Sequence, residues 1–179
     1  GLGDVYKRQA VDESQTTETE NKITLDASGN AAAGDQSTEN KTAEPSTLDE
    51  LFGGENLSVT YTGAEIAANY MEGGYYSLDA EQGKTFVIVG IDITNSGADE
   101  IAIDNFAKTP KFSVMVNGQE KAEEENTILP SDFALYQETV PAGVTENTIL
   151  LFQVPDSVTS VDSLDLFVNI SGTNYQITL

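Results

Sequence analysis

Short runs in which apolar residues alternate with polar ones recur between Leu57 and Leu179. Successive side chains of a β-strand point to opposite faces, so this alternation predicts half-buried strands. Two runs that are denser in apolar residues predict central strands, whose two faces are both covered. The alternating runs begin at Leu57, Phe112, Leu164 and Tyr175, the dense runs are Thr85–Thr94 and Thr148–Val154, and shorter candidates are Tyr75–Leu78, Glu100–Asp104 and Phe133–Val140.

The strongest turn signal between these runs is Asn117-Gly118. Both central residues of a type I′ turn need positive φ, which Asn and Gly tolerate, so the pair predicts a tight hairpin from Val116 into Gln119. About seven to nine short strands without intervening helices favour an all-β, immunoglobulin-like two-sheet antiparallel sandwich over a barrel or a parallel sheet. The stretch Gly63–Gly74 fits a turn of helix or a second edge strand equally well.

The sequence before the sandwich divides into three parts. Residues 1–9 lack an initiator Met and resemble a translated adaptor fragment, so we interpret them as a sequencing artefact. Residues 10–45 are mostly small and polar, and they cannot bury enough apolar surface to offset a backbone ordering cost of about 1–2 kcal/mol per residue. We therefore predict a disordered acidic linker, whether it is a plain flexible terminus or a spacer that lifts the domain off a surface.

A short helix is predicted within residues 46–55, leading into a sandwich that spans residues 56–179. Ser46 or Thr47 can cap its first turn, and Glu50 follows Thr47 at the spacing of a capping box. Gly53 or Gly54 can end it.

The charge of the chain excludes one class of partner. With 30 acidic and 8 basic residues, the formal net charge is −22. Affinity for nucleic acid or for anionic lipid headgroups grows with the number of Lys and Arg side chains presented, so neither is an expected partner.

The chain contains no Cys and no His. The thiolate nucleophile, the usual general base and the usual ligands of transition metals are therefore missing, and we expect no enzyme. The enzymatic alternative is a hydrolase based on paired carboxylates. Its candidate carboxylates, such as Asp92, fall at strand edges or turns, where solvated charge is the ordinary expectation.

Calcium is the one cofactor for which the sequence offers ligands, because Ca²⁺ needs only clustered oxygens. Asp99, Glu100 and Asp104, together with Asn95, are one candidate cluster, and Glu120 with Glu123–Glu125 is another. Neither matches the loop pattern of an EF-hand. A solvated acidic surface that discourages strand edges from pairing accounts better for both clusters.

Three tyrosines form the candidate ligand site. Tyr70, Tyr75 and Tyr76 lie around Gly73-Gly74, in a predicted loop. Tyrosines on the loops of a rigid sandwich commonly contact sugars or proteins. Alternation places Tyr75 and Tyr76 on opposite faces, so one of them can equally belong to the core.

The strand Gly83–Gly97, with its pattern G-K-x-F-V-x-V-x-I-x-I-x-N-x-G, is similar to a strand of an uncharacterised family of bacterial surface lipoprotein domains. The hairpin Phe112–Gly118, the bend Val140–Gly143 and the strand end Phe152–Pro155 extend the resemblance, which covers roughly residues 56–179. The fold of that family resembles the mycobacterial immunoprotective extracellular protein, a telokin-like immunoglobulin-type sandwich.

The resemblance implies an exported bacterial lipoprotein with a cleaved signal, a lipidated Cys, a disordered spacer and a sandwich, and it brings no catalytic residues. We therefore expect an extracellular, monomeric domain on the outer face of the cell membrane. Its contact with the membrane would be an N-terminal lipid anchor lost with the authentic start of the chain. The expected function is non-enzymatic adhesion or binding of a protein or glycan ligand, and the alternative is a structural spacer or accessory module without a ligand.

Overall fold

The computed structural model describes residues 42–179; residues 1–41, with the predicted artefact and most of the predicted linker, lie outside the described part. The strands are β1 (Glu44–Ser46), β2 (Leu57–Ala67), β3 (Asn69–Glu72), β4 (Tyr76–Asp79), β5 (Lys84–Asn95), β6 (Ile101–Asp104), β7 (Lys111–Val116), β8 (Glu120–Glu123), β9 (Gln137–Val140), β10 (Thr145–Pro155), β11 (Leu164–Ile170) and β12 (Thr173–Ile177). The helices are α1 (Leu48–Phe52) and the 3₁₀ helices η1 (Phe106–Lys108) and η2 (Phe133–Leu135).

Two sheets dominate the described residues. One has five strands in the order β8-β7-β11-β12-β1, and the other has three in the order β10-β5-β2. The pairs β9–β6 and β3–β4 form two further sheets of two strands each. All strand pairings are antiparallel except that of β12 with β1, which is parallel. Glu44 and Pro45 were predicted to end the disordered linker, but they belong to β1 and pair with β12. The predicted all-β, immunoglobulin-like two-sheet sandwich is confirmed.

Strand β5 explains why the run Thr85–Thr94 is so rich in apolar residues. One of its faces carries Val87, Val89, Ile91 and Ile93 into the main core, where they are fully buried together with residues of the five-stranded sheet. Its other face places Phe86 and Ile88 in a second apolar cluster with Leu129 and Leu151, against which side chains of β3 and β4 pack. Because both faces are covered, the alternation of apolar and polar residues disappears.

The predicted turn and helix cap are both present. Asn117 and Gly118 have φ angles of 55° and 69°, and the N–H of Gln119 donates to the carbonyl of Val116 at 3.0 Å. Strand pairing resumes one residue later than predicted, with Glu120 opposite Val116. In α1, Thr47 caps the helix and completes a capping box with Glu50.

One predicted strand begins differently in the structure, and one stretch that the sequence left open between helix and strand is decided. The predicted strand Phe133–Val140 begins instead as η2, because the side chain of Asp132 accepts a hydrogen bond from the N–H of Ala134 and holds the first turn. Strand β9 starts only at Gln137. The open stretch Gly63–Gly74 is strand rather than helix, since β2 continues to Ala67 past a bulge and β3 follows.

Residues 124–132, the bridging segment, join the two sheets at one corner. The N–H of Glu124 donates to Phe112 of β7 at 3.1 Å, and the N–H of Glu125 donates to Leu151 of β10 at 2.8 Å. At the far end of the segment, Ser131 accepts from the N–H of Ile149 at 2.9 Å. The corner is therefore closed by backbone hydrogen bonds to both sheets.

No helix in residues 42–179 has the length and the apolar character needed to cross a membrane.

Candidate functional site

A cleft of about 380 Å³ opens beside the bridging segment. This volume lies in the range of about 300–1,000 Å³ that small-molecule sites occupy. Three parts of the chain line the cleft: the approach to β7 with Phe106, Thr109, Pro110, Lys111 and Phe112, the start of the bridging segment with Glu123, Glu124 and Asn126, and η2 with Ala134 and Leu135.

The apolar side chains that line the cleft are of two kinds, buried and exposed. Phe112 and Ala134 belong to the main core, whereas Phe106 and Leu135 are 54% and 41% exposed. A single exposed apolar side chain is normal on a protein surface. Two large ones on the same concave surface are typical of a binding site.

The backbone at Thr109 is strained. Its φ and ψ angles are 42° and 53°, in the left-handed region, which is unfavourable for a β-branched residue. Pro110 follows it and also disfavours the ordinary right-handed helical conformation at Thr109. Residues held in this way are concentrated at binding and catalytic sites. The strain fixes the turn that presents Phe106 and Lys111 to the cleft.

Two exposed side chains of opposite charge, Lys111 and Glu123, lie on one face of the β7–β8 pair. Glu123 is directly opposite Ser113, so Lys111 is its diagonal neighbour, at about 7–8 Å along the ladder. Within residues 42–179 neither forms an ion pair, since the ion pair found there joins Lys84 to Glu81.

Two carboxyl groups interact at the cleft: that of Glu124, which lines it, and that of Asp132, which lies outside the lining. Burial, together with the hydrogen bond to Asp132 and the negative charge of that residue, raises the pKa of Glu124 to about 9. Asp132 is only 2% exposed, and it accepts hydrogen bonds from Thr127 Oγ1 at 2.6 Å and from the N–H of Ala134 at 3.0 Å. Glu124 therefore lines the cleft as a neutral acid at pH 7.

Sequence reasoning missed this pair. In the sequence, Glu124 stands out only as a possible calcium ligand, together with its acidic neighbours, and no pattern marks Asp132. The bridging segment brings Glu124 and Asp132 together where it crosses between the two sheets. No residue spacing in the sequence indicates this contact. The sequence contains one weak signal for the pair. In the stretch Thr127–Asp132, polar residues lie on either side of the apolar pair Ile128 and Leu129, and the alternation of a strand is absent.

The candidate calcium ligands are not grouped by the structure. Within residues 42–179 no three acidic side chains are placed so that they could hold one metal ion, and this includes Asp99, Glu100 and Asp104. Asp104 accepts from the N–H of Ala107 at 3.0 Å, and buried Asn95 donates to the carbonyl of Asp99 at 2.7 Å. These contacts organise turns. Calcium binding stays a prediction, tested by comparing the melting temperature in Ca²⁺ and in Mg²⁺.

The three candidate tyrosines do not form one surface. Tyr70 and Tyr76 face inward from the β3–β4 hairpin and pack on the second apolar cluster, while Tyr75 is 92% exposed at the hairpin tip. The hydroxyl of Tyr70 donates to Glu72 at 3.0 Å, and burial is the main reason that the pKa of Tyr70 is raised. Glu72 also accepts from Ser131, which ties the hairpin to the bridging segment. Tyr75 alone is fully available to a partner.

The sequence matches no protein-family model and no curated protein. Among solved structures, an uncharacterized β-sandwich protein from Clostridium difficile 630 is similar, with 18% identity, a TM-score of 0.43, and coverage of 69% of this chain and 85% of that chain. A conserved hypothetical protein from Bacillus anthracis has 11% identity, a TM-score of 0.38, and coverage of 69% and 88%. A candidate lipoprotein from Bacillus subtilis has 12% identity, a TM-score of 0.37, and coverage of 78% and 39%. Likeness at this level does not identify a function.

Proposed function

We propose that this chain is a non-enzymatic binding protein of the bacterial cell envelope, and that its ligand occupies the cleft beside the bridging segment. The observation that carries the proposal is the composition of that cleft. Phe106 and Leu135 offer exposed apolar contacts, Lys111 and Glu123 offer charges without ion pairs in residues 42–179, and Thr109 holds a strained turn at the rim. Concave sites with a few convergent polar groups are where small ligands bind.

The acid pair does not supply the arrangement that a carboxylate-based hydrolase needs. A glycosidase, like a carboxylate dyad of the aspartic-protease type, presents both of its carboxyl groups to the substrate. Glu124 lines the cleft, but Asp132 is buried outside the lining, and both of its oxygens accept hydrogen bonds from the protein. We therefore favour binding without catalysis.

The proposed location outside the cell, on a lipid anchor, is supported by the resemblance of Gly83–Gly97 and its companion motifs to bacterial surface lipoprotein domains with a telokin-like fold. These motifs correspond to β5, the β7–β8 hairpin and β10. The authentic 5′ end of the gene tests the location. A signal segment ending in a small residue before Cys is the expected finding, whereas a start codon with neither would contradict the anchor.

A thermal-shift screen tests the binding function. We expect at least one member of a panel of amino acids, short peptides, oligosaccharides and peptidoglycan fragments to raise the melting temperature. A ligand at a hundred times its Kd stabilises the fold by about 2.7 kcal/mol. The double variant Phe106→Ser/Leu135→Ser should lose this stabilisation, because it removes the exposed apolar contacts while leaving the core intact.

Tyr75→Ser is the control, since Tyr75 is also an exposed large side chain but lies at the tip of the β3–β4 hairpin. It should keep the full shift. If no compound stabilises the protein, the rival interpretation as a spacer without a ligand is favoured. If stabilisation survives in the double variant but is lost in Tyr75→Ser, the ligand site is at the hairpin instead.

A further inference from the structure

The cleft carries one positive and one negative charge that can both reach a small ligand. Lys111 and Glu123 line it, are exposed, and are diagonal neighbours on the β7–β8 pair. Within residues 42–179 they pair neither with each other nor with another charged side chain. Their Cα atoms are about 7–8 Å apart along the ladder, so one small ligand can reach both side chains.

The third ionisable group of the lining, Glu124, adds no charge at neutral pH. Its carboxyl hydrogen-bonds to Asp132, and burial keeps it protonated. The carboxyl group that faces it is that of Asp132, and the other ionisable side chains of the lining are Lys111 and Glu123. The lining is therefore electrically neutral overall but contains one charge of each sign.

The net charge of the whole chain narrows the class of ligand further. At −22, the protein repels small anions at long range. The same net charge attracts a cation, but a ligand with only a positive charge would leave Lys111 in the cleft without a counter-charge. A neutral molecule with two opposite charges escapes both penalties. Phe106 and Leu135 require that it also carry an apolar group.

We infer that the cleft binds a small zwitterion with an apolar side chain, either a free apolar amino acid or a dipeptide of such residues. The α-carboxylate accepts hydrogen bonds from Lys111, the α-ammonium donates to Glu123, and the side chain contacts Phe106 and Leu135. A cleft of about 380 Å³ has the size of sites for such small molecules. This inference rests on the proposed function, because it names the ligand of the same cleft.

Titration calorimetry with four probes tests the inference. The probes are L-leucine, L-leucinamide without the carboxylate, N-acetyl-L-leucine without the ammonium, and the dipeptide Leu-Leu. The protein should bind leucine or Leu-Leu at least about tenfold more tightly than either capped compound, as expected when a hydrogen-bonded charge loses its partner. The stronger of leucine and Leu-Leu identifies the source of the zwitterion.

Two variants assign each end of the ligand. Lys111→Met should weaken leucine binding about tenfold and abolish the preference over leucinamide, and Glu123→Gln should abolish the preference over N-acetyl-leucine. Lys121→Met and Glu120→Gln are the controls, because these residues belong to the same strand, β8, but do not line the cleft. Both controls should bind as the unmodified protein does.

Two outcomes would overturn the inference. Equal binding of leucine and both capped compounds would show an apolar site without charge recognition, and the proposed function would stand. Absence of binding by all four probes would also overturn it. In that case the thermal-shift screen tests the proposed function separately. A stabilising compound whose effect depends on Phe106 and Leu135 would preserve the cleft as a ligand site. If no compound stabilises the protein, both the inferred ligand class and the proposed function are wrong.

Discussion

Replacement of Glu124 with glutamine is expected to stabilise the domain at neutral and alkaline pH. Glutamine has the shape of the protonated acid and can donate a hydrogen bond to Asp132, but it needs no proton to stay neutral. The wild-type carboxyl has a pKa of about 9 in the folded protein, because it is buried against another carboxyl. The gain should be on the order of 1–3 kcal/mol at pH 7.

The pH dependence follows from the direction of the shift. In the unfolded chain the Glu124 carboxyl titrates near 4.5, and in the folded protein near 9. Below pH 4.5 both states hold the proton, and the full stability is present. As the pH rises from 4.5 to 9 the unfolded state releases the proton first, so the contribution of Glu124 to wild-type stability falls by at most about 1.4 kcal/mol per pH unit.

Urea unfolding of the wild type and of Glu124→Gln between pH 5 and pH 9 measures this effect. The difference in the free energy of unfolding should be small at pH 5 and grow steadily towards pH 9. Glu123→Gln is the control, because its carboxylate is exposed on the neighbouring residue and should give a difference that does not grow in this way. A Glu124→Gln variant with the same pH profile as the wild type would contradict the account.

Phe133→Ala is expected to be the most destabilising single substitution in the region of the site. The ring of Phe133 is fully buried, with its centroid 4.9 Å from that of Phe52 and 6.0 Å from that of Phe112. Removal of a buried Phe side chain costs about 3–5 kcal/mol, out of a total stability of about 5–15 kcal/mol for a typical domain. The melting temperature should fall by about 10–20 °C.

Phe106→Ala provides the comparison for Phe133→Ala. Phe106 is 54% exposed, so the same chemical change there should alter stability by no more than about 0.5 kcal/mol. Urea unfolding can be followed by tyrosine fluorescence, since the chain has no tryptophan. If the two alanine variants lost a similar free energy of unfolding, the description of α1, β7 and η2 as packed around Phe133 would be wrong.

Much of the fold is predictable from the sequence, because each sheet leaves a local pattern. Alternation from Phe112 to Val116 and the Asn117-Gly118 turn together locate the β7–β8 hairpin, and the capping box at Thr47 locates α1. These signals are local, since they depend on residues that are neighbours along one strand or one turn. Phe133–Leu135 shows the limit, because a side-chain cap at Asp132 overrides the apolar pattern of a strand.

The cleft could not be predicted in the same way. Its lining comes from three separate parts of the chain, and the residues that meet there, such as Lys111, Glu124 and Leu135, share no spacing. Their proximity depends on how the bridging segment crosses from one sheet to the other. Alternation allowed for one of Tyr75 and Tyr76 to be core, and the structure packs Tyr76, together with Tyr70, on the cluster that contains Phe86 and Ile88. Ligand binding by the tyrosines stays a prediction.

An NMR titration of the ¹⁵N-labelled protein with L-leucine and Leu-Leu locates the ligand site. If the ligand occupies the cleft beside the bridging segment, the largest amide shift changes fall on residues 106–109, 111–112, 123–126 and 134–135. No change above the level seen with glycine would overturn only the inferred ligand class, whereas shift changes concentrated around Tyr75 on the β3–β4 hairpin would contradict the cleft as the ligand site.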